Sequence, residues 1–151
     1  GAESRVLFFD RPENADFQEQ FWGHPAFARF EAAGDSFAFS AAQLASETGD
    51  RLGVGRQVRE GHGPTGALVI LDASVPAGLY EVGADYASGD PQARWEAETA
   101  AGSQGDGLTL GEGQTPAVRV PVGAGEHLRW RLIYSGQGWL RVGAVTVRRL
   151  R

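Results

Sequence analysis

Glycine and proline interrupt this chain so often that a long helix has almost no room: 22 Gly and 7 Pro are spread along 151 residues, and both residue types are poor occupants of a helix interior. What survives between them is short, rich in β-branched and aromatic residues, and alternating. The sequence therefore predicts an all-β chain. Its strands are expected at Arg5 to Phe9, Ala26 to Glu31, Ser36 to Ser40, Gly66 to Leu71, Gly78 to Tyr86, Ala93 to Thr99, Leu108 to Leu110, Ala117 to Val122, His127 to Tyr134 and Gly138 to Leu150. Strands this short and this closely spaced belong to a sandwich or a barrel. Only Pro12 to Gln20 and Ala41 to Asp50 leave space for a helical turn; in the second, Ser40 stands where a cap is needed and Gly49 where the turn would end.

A period of two says which side of each strand is buried. Tyr80, Val82, Ala84 and Tyr86 share one face, as do Leu128, Trp130, Leu132 and Tyr134, and Trp95 falls between Ala93 and Ala97. These faces are expected to point inward. The opposite rows carry Glu81, Asp85, Arg94, Glu96, Glu98, Arg129 and Arg131, which would make one mixed-charge sheet face if the strands are neighbours, or a plain solvated face. Ala67 to Leu71 is apolar on both sides and reads as a central strand covered on both faces. In the last strand the two faces do not separate cleanly, so a bulge is expected near Gly143.

The length fits one domain, expected over residues 5–151, with residues 1–4 set aside as a processing remnant or disordered start. No cysteine is present, which removes thiol catalysis, disulfides and every Cys-bearing metal site. All basic residues are Arg; without Lys, the glycine-rich stretches at Gly53 to Gly55, Gly61 to Gly66 and Gly102 to Gly107 cannot be phosphate-binding P-loops and read as connections. A net charge of -5 argues against a nucleic-acid partner. No apolar run approaches the roughly 20 residues of a membrane span, so no direct membrane insertion is expected.

Catalytic and metal motifs are scarce. His24, His62 and His127 are scattered. Ser135 precedes Gly136-Gln-Gly138 without the Gly-x-Ser-x-Gly of a nucleophile elbow, and reads as a hairpin residue. Glu96 and Glu98 point the same way on one strand, about 7 Å apart, in reach of a glycosidic bond but equally a solvated pair. Asp10, Glu13 and Asp16 supply oxygens within one loop and are the candidate structural calcium ligands, the one cofactor considered. Asp72, Asp85, Asp90 and Asp106 would join a calcium site only through folding.

Three phrases carry a resemblance: Leu71-Asp-Ala-Ser-Val-Pro-Ala-Gly-Leu-Tyr-Glu-Val82, Val118-Arg-Val-Pro-Val-Gly-Ala-Gly-Glu-His-Leu-Arg-Trp-Arg-Leu132 and Gly138-Trp-Leu-Arg-Val-Gly-Ala-Val-Thr-Val147. They resemble the galactose-binding-like jelly rolls, the fold of many carbohydrate-binding modules and of sandwich accessory domains of bacterial cell-surface enzymes. The opening Val6-Leu-Phe-Phe-Asp10 with Gln20-Phe-Trp-Gly23 is similar to the starts of sandwich domains appended to extracytoplasmic membrane glycosyltransferases. The resemblance implies a β-sandwich of jelly-roll topology and raises a sugar ligand. It assigns no binding residue, because ligand sites in such folds lie on variable loops or sheet faces.

Sugars present C–H patches and a polar rim, so their sites pair flat rings with charged or amide side chains. Trp95 and Trp130 are expected in the core, Trp22 and Trp139 at loop edges. The expected carbohydrate-binding set is Trp22, Trp139, Arg94, Arg129, Arg131 and Asp85. The functional expectation is a non-catalytic carbohydrate-binding accessory module of a larger extracytoplasmic bacterial protein, taking a glycan or polysaccharide. The alternative is a structural or protein-interaction sandwich packing against its parent enzyme or a partner subunit.

Overall fold

The computed structural model describes residues 30–99 and 102–151. They form β1 (Ser36–Ser40), β2 (Asp50–Leu52), β3 (Gly55–Arg59), β4 (Gly66–Ser74), β5 (Gly78–Ser88), β6 (Arg94–Thr99), β7 (Gly102–Gly107), β8 (Gly111–Gln114), β9 (Val118–Val122), β10 (His127–Tyr134) and β11 (Trp139–Arg149). The larger sheet runs β2-β3-β11-β5-β8, with β1 also against β11 and β9 also against β5; the smaller runs β4-β10-β6-β7. Every pairing is antiparallel. The chain passes back and forth between the sheets along its length, so this is a β-sandwich with the strand-swapping connectivity of a jelly roll.

Alternation places the core where the sequence puts it. Tyr80, Val82, Ala84 and Tyr86 of β5, Trp95 and Ala97 of β6, and Leu128, Trp130, Leu132 and Tyr134 of β10 are all buried. Each large apolar side chain removed from water stabilises by roughly 1.5–3 kcal/mol. Two buried phenols keep a partner: Tyr80 Oη donates to the Pro76 carbonyl at 2.6 Å and Tyr134 Oη to that of Gly138 at 2.9 Å. Burial pushes both phenols up. Arg149 partly opposes this at Tyr80, while Asp90 and Glu60 add to it at Tyr134.

The bulge near Gly143 is present: pairing to β5 jumps from Val142↔Tyr86 to Val145↔Ala84, leaving one extra residue on β11. Several expectations are corrected. β4 is at the end of the smaller sheet's strand order, not a central strand; its free edge is bonded by the segment after β1, through Ile70 N to Ala45 O and Glu47 N to Ala67 O, both 2.8 Å. Only Ala41–Gln43 form a 3-10 turn, and the Ser40 side chain makes no capping bond. The backbone there is drawn out along β4, and Arg56, buried, holds it by donating from Nη2 to Leu44 O at 2.8 Å and from Nε to Ala41 O at 3.1 Å.

The third correction concerns Gly102 to Gly107 and Leu108 to Leu110. The first is a strand, β7, and the second is not. β7 is exposed throughout and exists through backbone pairing to β6, where a Cβ on Gly105 would collide with the Trp95 carbonyl. Ser135 lies in a crossover from the smaller sheet to the larger, not in a hairpin. The expected strand at Arg5 to Phe9 and the turn at Pro12 to Gln20 lie outside the described residues; Phe30 and Glu31, at the end of the expected Ala26 strand, lie in a turn. Among the described residues, no helix is long and apolar enough to cross a membrane.

Candidate binding face

The expected mixed-charge face splits in two. On the outside of the smaller sheet, β6 and β10 bring Arg94, Glu96, Glu98, Arg129 and Arg131 together with Asp72 of β4 and His127. Every arginine there has a carboxylate partner. Arg131 Nη2 is 2.7 Å from Glu96, Arg94 Nε is 3.3 Å from the other Glu96 oxygen, and Arg129 reaches Glu98 at 3.2 Å and Asp72 at 3.4 Å. His127 Nδ1 lies 2.7 Å from Asp72 Oδ1. The bond to Glu98, with Asp72 beside it, pushes the Arg129 guanidinium up.

Glu81 and Asp85 lie on the outside of the larger sheet, with Trp139. Trp139 opens β11, and its carbonyl accepts the Gly89 N–H at 2.8 Å just beyond the end of β5. Gly89 has no side chain, and the indole occupies that space: a Cβ there would lie 2.7 Å from Cε2 and closer still to Nε1 and Cδ1. The ring is thus held against bare backbone while remaining 36% exposed. The Arg141 guanidinium, two residues along and on the same face, sits 5.4 Å from the ring centroid in a cation–π contact. Leu110, 62% exposed, precedes Gly111 at the same end of the sheet.

Below this platform the register places Arg141, Ala87 and Glu112 in one row, and Asp85 beside Gln114 in the next. Gln114 Nε2 donates to Asp85 Oδ1 at 2.9 Å. A groove of about 590 Å³ runs over Ala87, Gly143 and Gly55 between the exposed Leu52 and Val54 on one side and Asp85, Gln114 and Glu112 on the other. Its floor is low because those residues are Gly and Ala. At Gly55 even a Cβ would collide with the Val142 carbonyl, so β3 and β11 approach there as only glycine allows.

The structure therefore unites Arg94, Arg129 and Arg131 on one face and Trp139 with Asp85 on the other. Trp22 and the calcium candidates Asp10, Glu13 and Asp16 lie outside the described residues. Asp90, considered for calcium, is instead fully buried and bonded within the protein, and no metal-binding group of His, Asp and Glu is gathered among the described residues. Glu112 and Gln114 escaped sequence reading because β8, Gly-Glu-Gly-Gln, has no alternation to reveal it, and Gly89 because a glycine carries no sign of the ring that fills its place. Arg141 had a signal: it is two residues from Trp139 on one strand, hence on the same face.

No protein-family model and no curated protein matches this chain. Solved structures of similar fold include modules or parts of carbohydrate-active enzymes. One is a β-(1,4)-mannanase from Podospora anserina bearing a family 35 carbohydrate-binding module: 15% identity and a TM-score of 0.49 over 78% of this chain, spanning only 28% of the mannanase. Another is the C-terminal family 6 carbohydrate-binding module of a laminarinase from Zobellia galactanivorans, with 12% identity and a TM-score of 0.46 over 76% of this chain and 99% of the module. A third is a carbohydrate-binding module of a Cellvibrio mixtus lichenase, solved with cellotriose, at 14% identity and a TM-score of 0.43 over 80% of this chain and 100% of the module.

Proposed function

We propose that this chain is a non-catalytic carbohydrate-binding module, an accessory part of a larger extracytoplasmic bacterial protein, and that its seat is the outer face of the larger sheet. The observation that carries this reading is Trp139, held against Gly89 with Arg141 beside it and the Asp85–Gln114 pair and Glu112 along the same face. A sugar ring stacks its C–H face on a fixed indole and turns its hydroxyls to the carboxylates, amide and guanidinium around it. One ring and a few hydrogen bonds give affinities of roughly micromolar to millimolar Kd.

The smaller-sheet face is the weaker candidate, because Arg94, Arg129 and Arg131 are committed to Glu96, Glu98 and Asp72 and a sugar would have to displace those partners. The same pairing favours a binding role over a glycosidase, since Glu96 and Glu98 are each engaged by a guanidinium. One observation favours a protein partner instead: Leu52 and Val54, at the β2–β3 turn, are 52% and 72% exposed.

Fluorescence titration against a panel of envelope and plant polysaccharides tests the reading. Binding by at least one glycan, abolished by Trp139→Ala and retained by Arg131→Ala, is the expected result. Loss with Arg131→Ala and retention with Trp139→Ala would move the site to the smaller sheet, and failure of every glycan would favour the protein partner.

A further inference from the structure

Resting on that reading, we infer that the face seats an internal stretch of a linear, uncharged polysaccharide, along β5, rather than one terminal sugar. A second depression, of about 220 Å³, lies on the same outer face beyond the groove below Trp139. The two share Asp85 and Gln114, so this hydrogen-bonded pair is a ridge common to both. The second is floored by Gly83 and Ala117 and bordered by Glu81, Ser36, Thr146 and Arg148. Register explains the continuity: Glu81, Gly83, Asp85 and Ala87 alternate onto one side of β5, opposite Arg148, Thr146 and Arg141 of β11.

From Gly89 to Glu81 this path covers eight residue steps of β5, about 27 Å of extended strand, far more than one sugar ring spans. The two depressions lie side by side on it, and neither is a closed pocket that would demand a chain end. Their polar groups alternate in sign, with acids at Glu81, Asp85 and Glu112 and guanidinia at Arg141 and Arg148. A polyuronate lying along the path would bring its carboxylates against Glu81, Asp85 and Glu112; a neutral chain meets donors and acceptors it can satisfy by rotating hydroxyls.

Two glycines allow the seat to be blocked in halves. A Cβ at Gly83 meets nothing nearer than Thr115 Oγ1 at 3.7 Å, and a Cβ at Gly143 meets nothing within 4 Å. Gly83→Leu fills the second depression and Gly143→Leu the first. Thr146→Trp, opposite Gly83 on β11, fills the second depression from the other strand, and each variant's fold is checked by denaturant midpoint.

Isothermal titration with neutral β-linked gluco- and manno-oligosaccharides, from disaccharide to hexasaccharide, should show affinity rising about ten-fold or more with length, the equivalent of one or two further hydrogen bonds. Gly83→Leu and Thr146→Trp should erase that gain and leave the disaccharide unchanged, while Gly143→Leu should weaken both. Affinity independent of length, a gain that survives both second-depression variants, or polygalacturonate binding as tightly as the neutral chains would overturn the inference. In those cases loss of binding in Trp139→Ala still upholds the binding face itself, whereas no binding of any glycan removes both.

Discussion

The indole of Trp139 rests where Gly89 has no side chain, with Cε2 2.7 Å from the point a Cβ would occupy. Gly89→Ala therefore cannot be accommodated without moving the ring or the strand end. The expected cost is about 1–3 kcal/mol in urea unfolding, the range for overpacking a tight contact, with red-shifted tryptophan emission as the indole swings into water and weaker glycan binding. An Ala variant with unchanged stability and emission would show that the ring does not lie there.

Asp90 fixes that end of the sandwich from within. It is fully buried, in the connection after β5, and its carboxylate accepts the Ser135 N–H at 2.7 Å, the Ser135 hydroxyl at 2.6 Å and the Gln92 N–H at 2.9 Å. Ser135 belongs to the crossover that leads into Trp139, so one side chain ties together the two connections that carry Gly89 and Trp139. Asp90→Ala takes the acceptor from two partly buried N–H groups and from the Ser135 hydroxyl and should cost about 1–3 kcal/mol, whereas Ser135→Ala removes one hydroxyl bond and should cost about 1 kcal/mol. The double variant should cost less than the sum, since both remove the same contact. Additive losses in a denaturation cycle would contradict this shared latch.

How much of this was legible beforehand depended on whether a strand has one wet and one dry side. β1 and β10 match their expected bounds, and Trp95 and Trp130 are buried where alternation puts them, because each strand presses one row of side chains into the core. β7 and β8 bury almost nothing and are held by backbone pairing, so nothing in Gly-Ser-Gln-Gly-Asp-Gly announced a strand. β3 was obscured by Arg56, a charged side chain turned inward to bond backbone carbonyls. For the candidate site, Trp139 was visible as a loop-edge ring. Of its neighbours Asp85 was expected in the set, but Gln114 and Glu112 were not, because they reach that face through β5–β8 pairing that one-dimensional periodicity does not encode.

The composition also isolates a titration. The chain has no Lys and no Cys, so above neutral pH its tyrosines are the side chains that lose protons before Arg does. Tyr80 and Tyr134 are both held above the ordinary phenol value of 10.0, chiefly by burial. The folded protein then keeps these protons at pH values where the unfolded chain has begun to release them. Stability from this source is complete below pH 10.0 and is lost as the pH rises from there through the folded-state values. Each phenol contributes a slope of at most about 1.4 kcal/mol per pH unit. Tyr80→Phe keeps the ring but loses the bond to the Pro76 carbonyl, so it should cost about 1 kcal/mol at neutral pH and flatten the alkaline decline, and Tyr134→Phe should do the same. Unfolding free energies measured across that range should show the wild type converging on the Phe variants as the pH climbs. A wild-type curve that stays flat, or parallel to theirs, would mean that neither phenol is kept protonated by the fold.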